Sequence, residues 1–414
     1  MLGKNIKILI RSVVFLILLF AGLTSAQEKS AGYDHGFYVR SADGNFVWHP
    51  FGLIHTDLRL SPSGSQINND NTQASTFLTR RLRLGFEGQL YGNIDYDLET
   101  NVGSGGAELI FAWMNFGFLR EAQLRVGQFK EPFSYEVLLP EKYLDFIERS
   151  IVVTVVSPAE DIGVMVHNFG SPIGGILEYG AGIYNGLGGA EKTSEKTFEY
   201  VGRLALYPFI ASGNELLKTA RIAGYALYED NRPEGVDIRP RTPLGFEFFP
   251  RIPTMGKRIA LGGDVQWIKG PFSFNAEYIR NTEQQTTTNA DAIVEGWHID
   301  ATYLLTGENK VREMESGVEL AARIEKLQVD AGLPIAAEGF TDESGNPVSL
   351  QKNSVTTLTF GLNYYLNYNI KFQVNYQNDW FDNNLYTPSS REGDVLNPAS
   401  TSRSKMLARV QLYF

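Results

Sequence analysis

The sequence predicts an all-β fold, a transmembrane antiparallel β-barrel of about 16 strands behind a cleavable leader. Three observations predict it. Hydrophobicity repeats with period two rather than 3.6 over most of the chain. No stretch after residue 26 reaches the ~18 apolar residues that a membrane-spanning helix needs. The connections between the alternating runs are short at one end and long at the other, as expected when strands cross between two unlike compartments.

The first element is the leader, residues 1–26. Lys4, Lys7 and Arg11 form a basic start, Val13 to Ala21 an apolar stretch, and Thr24, Ser25 and Ala26 a small-residue cleavage site. Residues 27–45 then read as a short periplasmic segment, too short for a plug domain, and 46–414 as the barrel. Strands are expected at 51–61, 76–90, 91–103, 107–118, 122–130, 160–169, 174–186, 198–208, 217–229, 257–268, 271–281, 294–306, 316–327, 355–367, 368–379 and 404–414. The last is the clearest. Met406, Ala408, Val410, Leu412 and Phe414 share one face, and Arg409, Gln411 and Tyr413 the other. Leu82, Leu84 and Phe86 oppose Arg81, Arg83 and Glu87 in the same way, and Trp297, Ile299 and Tyr303 oppose His298, Asp300 and Thr302. Apolar faces meet lipid and polar faces the lumen.

Short turns are expected near Tyr91, at Gly117–Glu121, Gly170–Ile173, Lys269–Pro271 and Asn367–Asn369. Long loops are expected at 62–75, 131–159, 230–256, 282–293, 328–354 and 380–403. The loop 131–159 follows strand five and mixes apolar stretches, Val137–Leu139 and Ile151–Val156, with many charges. A loop waving in water has no use for those apolar groups, so it is expected to fold into the barrel and constrict it.

Composition excludes several functions. With no cysteine there is no disulfide framework, thiol catalysis or thiolate metal site. A formal charge of −10 argues against nucleic acid as a partner. The five histidines, His35, His49, His55, His167 and His298, are scattered and none completes a nucleophile motif. No phosphate-cradling or metal-binding spacing occurs, so neither enzyme nor cofactor is expected.

The segment Leu124-Arg125-Val126-Gly127-Gln128-Phe129-Lys130-Glu131-Pro132-Phe133-Ser134 resembles the phosphate-selective porin O and P family. Phe146-Ile147-Glu148-Arg149-Ser150, Glu160-Asp161-Ile162-Gly163-Val164, Arg80-Arg81-Leu82-Arg83-Leu84-Gly85-Phe86 and Gly361-Leu362-Asn363-Tyr364-Tyr365 strengthen the likeness, which covers most of 46–414. The resemblance implies a trimer of 16-stranded porins in the Gram-negative outer membrane, among its lipid and lipopolysaccharide, passing small hydrophilic solutes or anions such as phosphate. Phe414 resembles the terminal aromatic that barrel-assembly machinery reads.

On that resemblance Lys130 and Arg149 become candidate anion contacts. Arg81, Arg83 and Arg125 join them by parity, and Glu131, Glu141, Asp145 and Glu148 are the acids of the constriction loop. The lumen face nevertheless reads as mixed. Arg59, Arg81, Arg83, Arg125, Arg203, Arg258, Arg323, Lys371 and Arg409 face Asp57, Glu87, Asp95, Asp97, Glu99, Asp264, Glu277, Asp300, Glu319 and Glu325. A phosphate conductor wants an unbroken ladder of cations. This wall suits a transverse field and a general or weakly cation-selective pore instead. A barrel whose long loops bind partners, as an adhesin or structural protein, is the alternative of another class.

Overall fold

The computed structural model describes residues 30–33, 35–60, 75–103, 106–186, 188, 198–286, 290–341, 347–382 and 402–414. The leader expected at 1–26 and much of the expected loops 62–75 and 380–403 lie outside the described residues. Two short strands, β1 (Ala31–Tyr33) and β2 (Phe37–Arg40), come first. Eight longer ones follow: β3 (Phe46–Leu60), β4 (Ser75–Leu90), β5 (Ile94–Asn101), β6 (Glu108–Phe116), β7 (Gln123–Lys130), β8 (Glu160–His167), β9 (Leu177–Tyr184) and β10 (Glu199–Leu206). The remaining eight are β11 (Arg221–Arg232), β12 (Thr254–Lys269), β13 (Phe272–Gln285), β14 (Asp291–Leu304), β15 (Gly317–Thr341), β16 (Pro347–Tyr365), β17 (Ile370–Phe381) and β18 (Ser402–Tyr413). From β3 to β18 each strand pairs antiparallel with the next. β18 then pairs with β3, Met406 opposite Leu60 and Leu412 opposite Ile54, so a 16-stranded ring closes without an edge.

The last residue extends this closing seam by one pair. Phe414 N–H donates to the Gly52 carbonyl at 3.0 Å, and Gly52 N–H to the Phe414 carbonyl at 2.8 Å. The Phe414 ring fills the space beside Gly52, where an added Cβ would lie 2.5 Å from it.

Period-two alternation runs along most strands as expected, with bulges interrupting it on β4, β6, β12 and β15. On β18 Met406 and Val410 are exposed on the outer wall, while Lys405, Arg409 and Gln411 are buried within. Several boundaries differ, among them β3, which begins at Phe46 rather than 51, and β13, which runs to Gln285 into the loop expected at 282–293. The loop expected at 328–354 is largely strand, because β15 and β16 run on together as a hairpin as far as Thr341 opposite Pro347. The segment 27–45, expected only as a tail, contains β1 and β2, and β2 pairs with the start of β3.

The barrel interior is not polar throughout. Ile279, Val294, Leu327, Val329, Val355 and Phe381 are buried, and a single apolar cluster joins them to Ile151, Val152, Val153 and Val156 of the β7–β8 connection. Ile238, Phe246, Phe248, Phe249 and Ile252 of the β11–β12 connection belong to the same cluster. Apolar residues on the inner face are stable only when something apolar covers them. Here two connections do so.

Candidate functional site: the β7–β8 connection and the cavity beside it

Residues 131–159 form three short turns of helix: α1 (Tyr135–Leu138), a 3-10 turn (Glu141–Tyr143) and α2 (Ile151–Val156). Serine caps each α-helix. Ser134 Oγ accepts from Val137 N–H and Ser150 Oγ from Val153 N–H, both at 3.3 Å. Between the helices Pro140 and the extended backbone at Leu139 and Leu144 leave carbonyls free for outside donors. Strand side chains supply them. Lys371 Nζ donates to the Lys142 and Leu144 carbonyls at 3.0 and 2.9 Å, and Gln411 Nε2 to Lys142 at 3.1 Å. Arg203 donates to the Phe133 carbonyl at 2.6 Å and Arg258 to that of Val156 at 2.9 Å. In return Asn375 Oδ1 accepts from Ile147 N–H at 2.8 Å. Thus strands β10, β12, β17 and β18 all hold this one connection.

Its carboxylates gather the bases. Glu141 accepts an ion pair from Arg83 at 3.0 Å, Arg149 at 3.1 Å and Lys130 at 3.8 Å. Burial would raise its pKa, yet these three cations hold it well below the usual carboxylate range. Glu148 meets Arg80 at 2.9 Å, Arg59 at 3.4 Å and Arg409 at 3.5 Å. Its pKa too is lowered against burial, by Arg80, Arg409 and Arg81. Asp145 pairs with Lys310 of the β14–β15 connection at 2.6 Å, and Glu136 with Arg323. Glu131 differs. It is buried at the neck of the connection beside Glu199 and Asp161, and burial, then repulsion by those acids, pushes its pKa well above normal.

Of the five candidate anion contacts, Arg83, Lys130 and Arg149 therefore converge on one carboxylate. Arg149 also donates to the Glu136 and Leu139 carbonyls at 2.9 Å each, which is how it pins the two arms of the connection together. Arg81 lies 3.5 Å from His55 Nδ1. Arg125 stacks over the Trp113 ring at 4.2 Å. Neither makes an ion pair among the described residues. Sequence reasoning overlooked Arg80. His55 pairs with Arg81 but Thr56 with Thr79, so a bulge leaves Arg80 unpaired in the ladder and turns it to Glu148. The signal was three bases in the four residues 80–83, which strict alternation cannot place on one face.

A cavity of about 870 Å³ opens beside the connection, on the side of the short turns. Its lining includes Arg83, Arg125, Lys130, Lys142, Arg221 and Arg312 against Glu87, Asp97, Glu99, Glu141, Glu178 and Glu313, with Phe51, Trp113, Tyr135, Tyr143, Tyr368 and Tyr413 between. Lys142 was overlooked as a site residue. Its ammonium rests 3.5 Å from the Tyr413 ring centre, and burial pushes its pKa down to about 8 although Glu87 and Glu313 oppose this. Among the described residues no group of His, Asp and Glu could hold a metal ion, and no helix is long and apolar enough to cross a membrane.

Comparison with known proteins places this architecture. No curated protein sequence matches the chain. Solved structures do, at fold level. A loop-deletion form of OmpT, an outer membrane protein of Vibrio cholerae, superposes with a TM-score of 0.57 at 8% identity, covering 89% of this chain and 100% of that one. The trimer form of OmpT gives 0.56 at 9% identity, over 89% and 99%. The outer membrane channel DcaP of Acinetobacter baumannii gives 0.54 at 9% identity, over 91% and 99%. The family model described as phosphate-selective porin O and P matches residues 52–414. With nearly the whole barrel matched, this chain belongs to the phosphate-selective porin O and P family and is a porin of the outer membrane.

Proposed function

We propose that this porin is a passive, water-filled channel for small hydrophilic solutes, with weak ionic selectivity, and not an enzyme. One observation carries the reading. Three of the bases that would otherwise greet an anion, Arg83, Lys130 and Arg149, are each engaged by Glu141, and Arg83 by Glu99 as well, so none stands without a carboxylate partner. Arg203, Arg258, Arg323 and Arg409 likewise pair with Asp264, Glu199, Asp300 and Asp57. A buried anion site must offer cations whose charge is not already satisfied. Arg81, Arg125, Lys142, Arg312 and Lys371 make no ion pair among the described residues, and Lys371 is turned to the Lys142 and Leu144 carbonyls, so they form no continuous ladder.

In this reading the β7–β8 connection is an infolded constriction, as the bonds to four strands of the wall support. The histidines serve the wall: His55 meets Gln411 at 2.9 Å and His167 meets Asn115 at 2.8 Å. Residues 1–26 act as a cleaved leader, 27–45 stay periplasmic and 46–414 span the membrane as a homotrimer, the assembly that one structural neighbour also adopts.

The test is a planar bilayer holding the purified mature protein in a KCl gradient, with phosphate then added. A steady conductance with a reversal potential near zero and no phosphate block is expected. Strong anion selectivity with block at low phosphate would restore a phosphate-selective function.

A further inference from the structure

We propose that the cavity on the short-turn side binds small zwitterions, an amino acid or short peptide, with the carboxylate on Lys142 and the ammonium between Glu87 and Asp97. The proposal rests on the porin reading and names a solute class for it.

Most arginines deeper in the lumen are matched within ion pairs, whereas Lys142, Glu87 and Asp97 make none among the described residues. Glu87 and Asp97 are direct cross-strand partners of β4 and β5, so two carboxylates stand side by side. Like charges so placed repel. Neither makes an ion pair among the described residues, and Asp97 Oδ1 is buried without a hydrogen-bond partner. A bound ammonium would satisfy both. Lys142 lines the same cavity and feels the charge of Glu87 and Asp97, yet no ion pair joins them. A gap therefore separates the acids from the ammonium.

Lys142 is also built in. Its carbonyl is gripped by Lys371 and Gln411, and its ammonium stands over Tyr413. Tyr143 and Tyr368 flank it, and the Tyr368 and Tyr413 rings meet edge-on at 6.0 Å. These rings give an apolar side chain a surface to rest on.

The discrimination follows from Coulomb's law. An anion gains at Lys142 but is repelled by the acid pair. A cation gains at the acids but is repelled by Lys142. A neutral solute gains from neither. Only a solute carrying both signs, oriented across the gap, gains twice.

The experiment measures current block of the full mature channel at neutral pH by four probes that share a phenol ring. These are glycyl-tyrosine as zwitterion, N-acetyl-tyrosine as anion, tyramine as cation and N-acetyl-tyrosinamide as neutral solute. The half-blocking concentration should be about tenfold lower for the zwitterion than for the neutral probe. That ratio should fall to near one in Lys142→Met and in Glu87→Gln/Asp97→Asn, and persist in Lys142→Arg. Equal block by zwitterion and neutral probe overturns the proposal. So does a ratio unchanged in Lys142→Met, and so does tyramine blocking as well as the zwitterion, which would mean that the acid pair acts alone. Each result presupposes a KCl current, so a silent channel would defeat the porin reading instead.

Discussion

Arg83, Lys130 and Arg149 all reach toward the lumen, and in isolation each is a plausible anion contact. Their common partner decides otherwise. Glu141 is separated from Arg83 by 58 residues, and only the folded connection brings it there. Parity could place Arg83 on the inner face because it depends on spacing alone, whereas Lys130 and Arg149 were candidates only through the resemblance. It could not say which carboxylate would meet them, because Glu141 sits where the alternation stops. Arg80 was hidden for a related reason, since a bulge moves one residue out of step.

Charge at this scale yields a pH prediction. Burial lowers the Lys142 pKa to about 8, so its cation persists at neutral pH and is lost as pH rises through that value. Anion permeability relative to cation should fall between pH 7 and 9, followed by reversal potential, and Lys142→Met should abolish the change. Glu141 and Glu148 have folded pKa values below their ordinary 4.5, so the stability they give is complete above that value and disappears only as pH falls well beneath it. Mild acid, about pH 5, should leave conductance unaltered. A jump there would contradict the assignment of these two anchors.

Among the elements, α2 is the one whose position depends most on close packing. Gly296 of β14 offers no side chain, and a Cβ there would sit 3.1 Å from Val152 and 2.3 Å from the Lys326 carbonyl. Gly296→Val should displace α2 and strain the β14–β15 ladder, changing single-channel conductance and lowering the folded fraction on electrophoresis. An unchanged conductance would show that α2 does not border the ion path. The segment 233–253 makes a similar case. Phe248 is buried against Phe381, with ring centres 5.9 Å apart. Phe248→Ala should cost about 3–5 kcal/mol of local packing, read as faster proteolysis within 233–253. The sequence showed this segment only as part of the long loop expected at 230–256. Its apolar residues gave no hint of their partners, which come from lumen positions on strands read as ending earlier.

For the whole molecule, strand number, closure and the direction of nearly every side chain were legible in the sequence, because period two is a local signal repeated sixteen times. What was not legible is everything decided by contact across the lumen: the convergence on Glu141 and Glu148, the apolar cluster, and the strand hairpin where a loop was expected. Closure itself is testable. Deleting Phe414 removes the ring beside Gly52 and two backbone hydrogen bonds. The variant should insert into membranes more slowly, as followed by the folded fraction on electrophoresis, and normal insertion would show that the last residue is dispensable.

Partial screening of the lumen bases by the carboxylates of the β7–β8 connection underlies the weak selectivity. It is tested most directly by the reversal potential of Glu141→Gln beside the parent channel in the same KCl gradient. The parent should reverse near zero and the variant clearly toward anion selectivity, with phosphate now reducing its chloride current. A parent already strongly anion-selective, or a variant indistinguishable from it, would contradict the account.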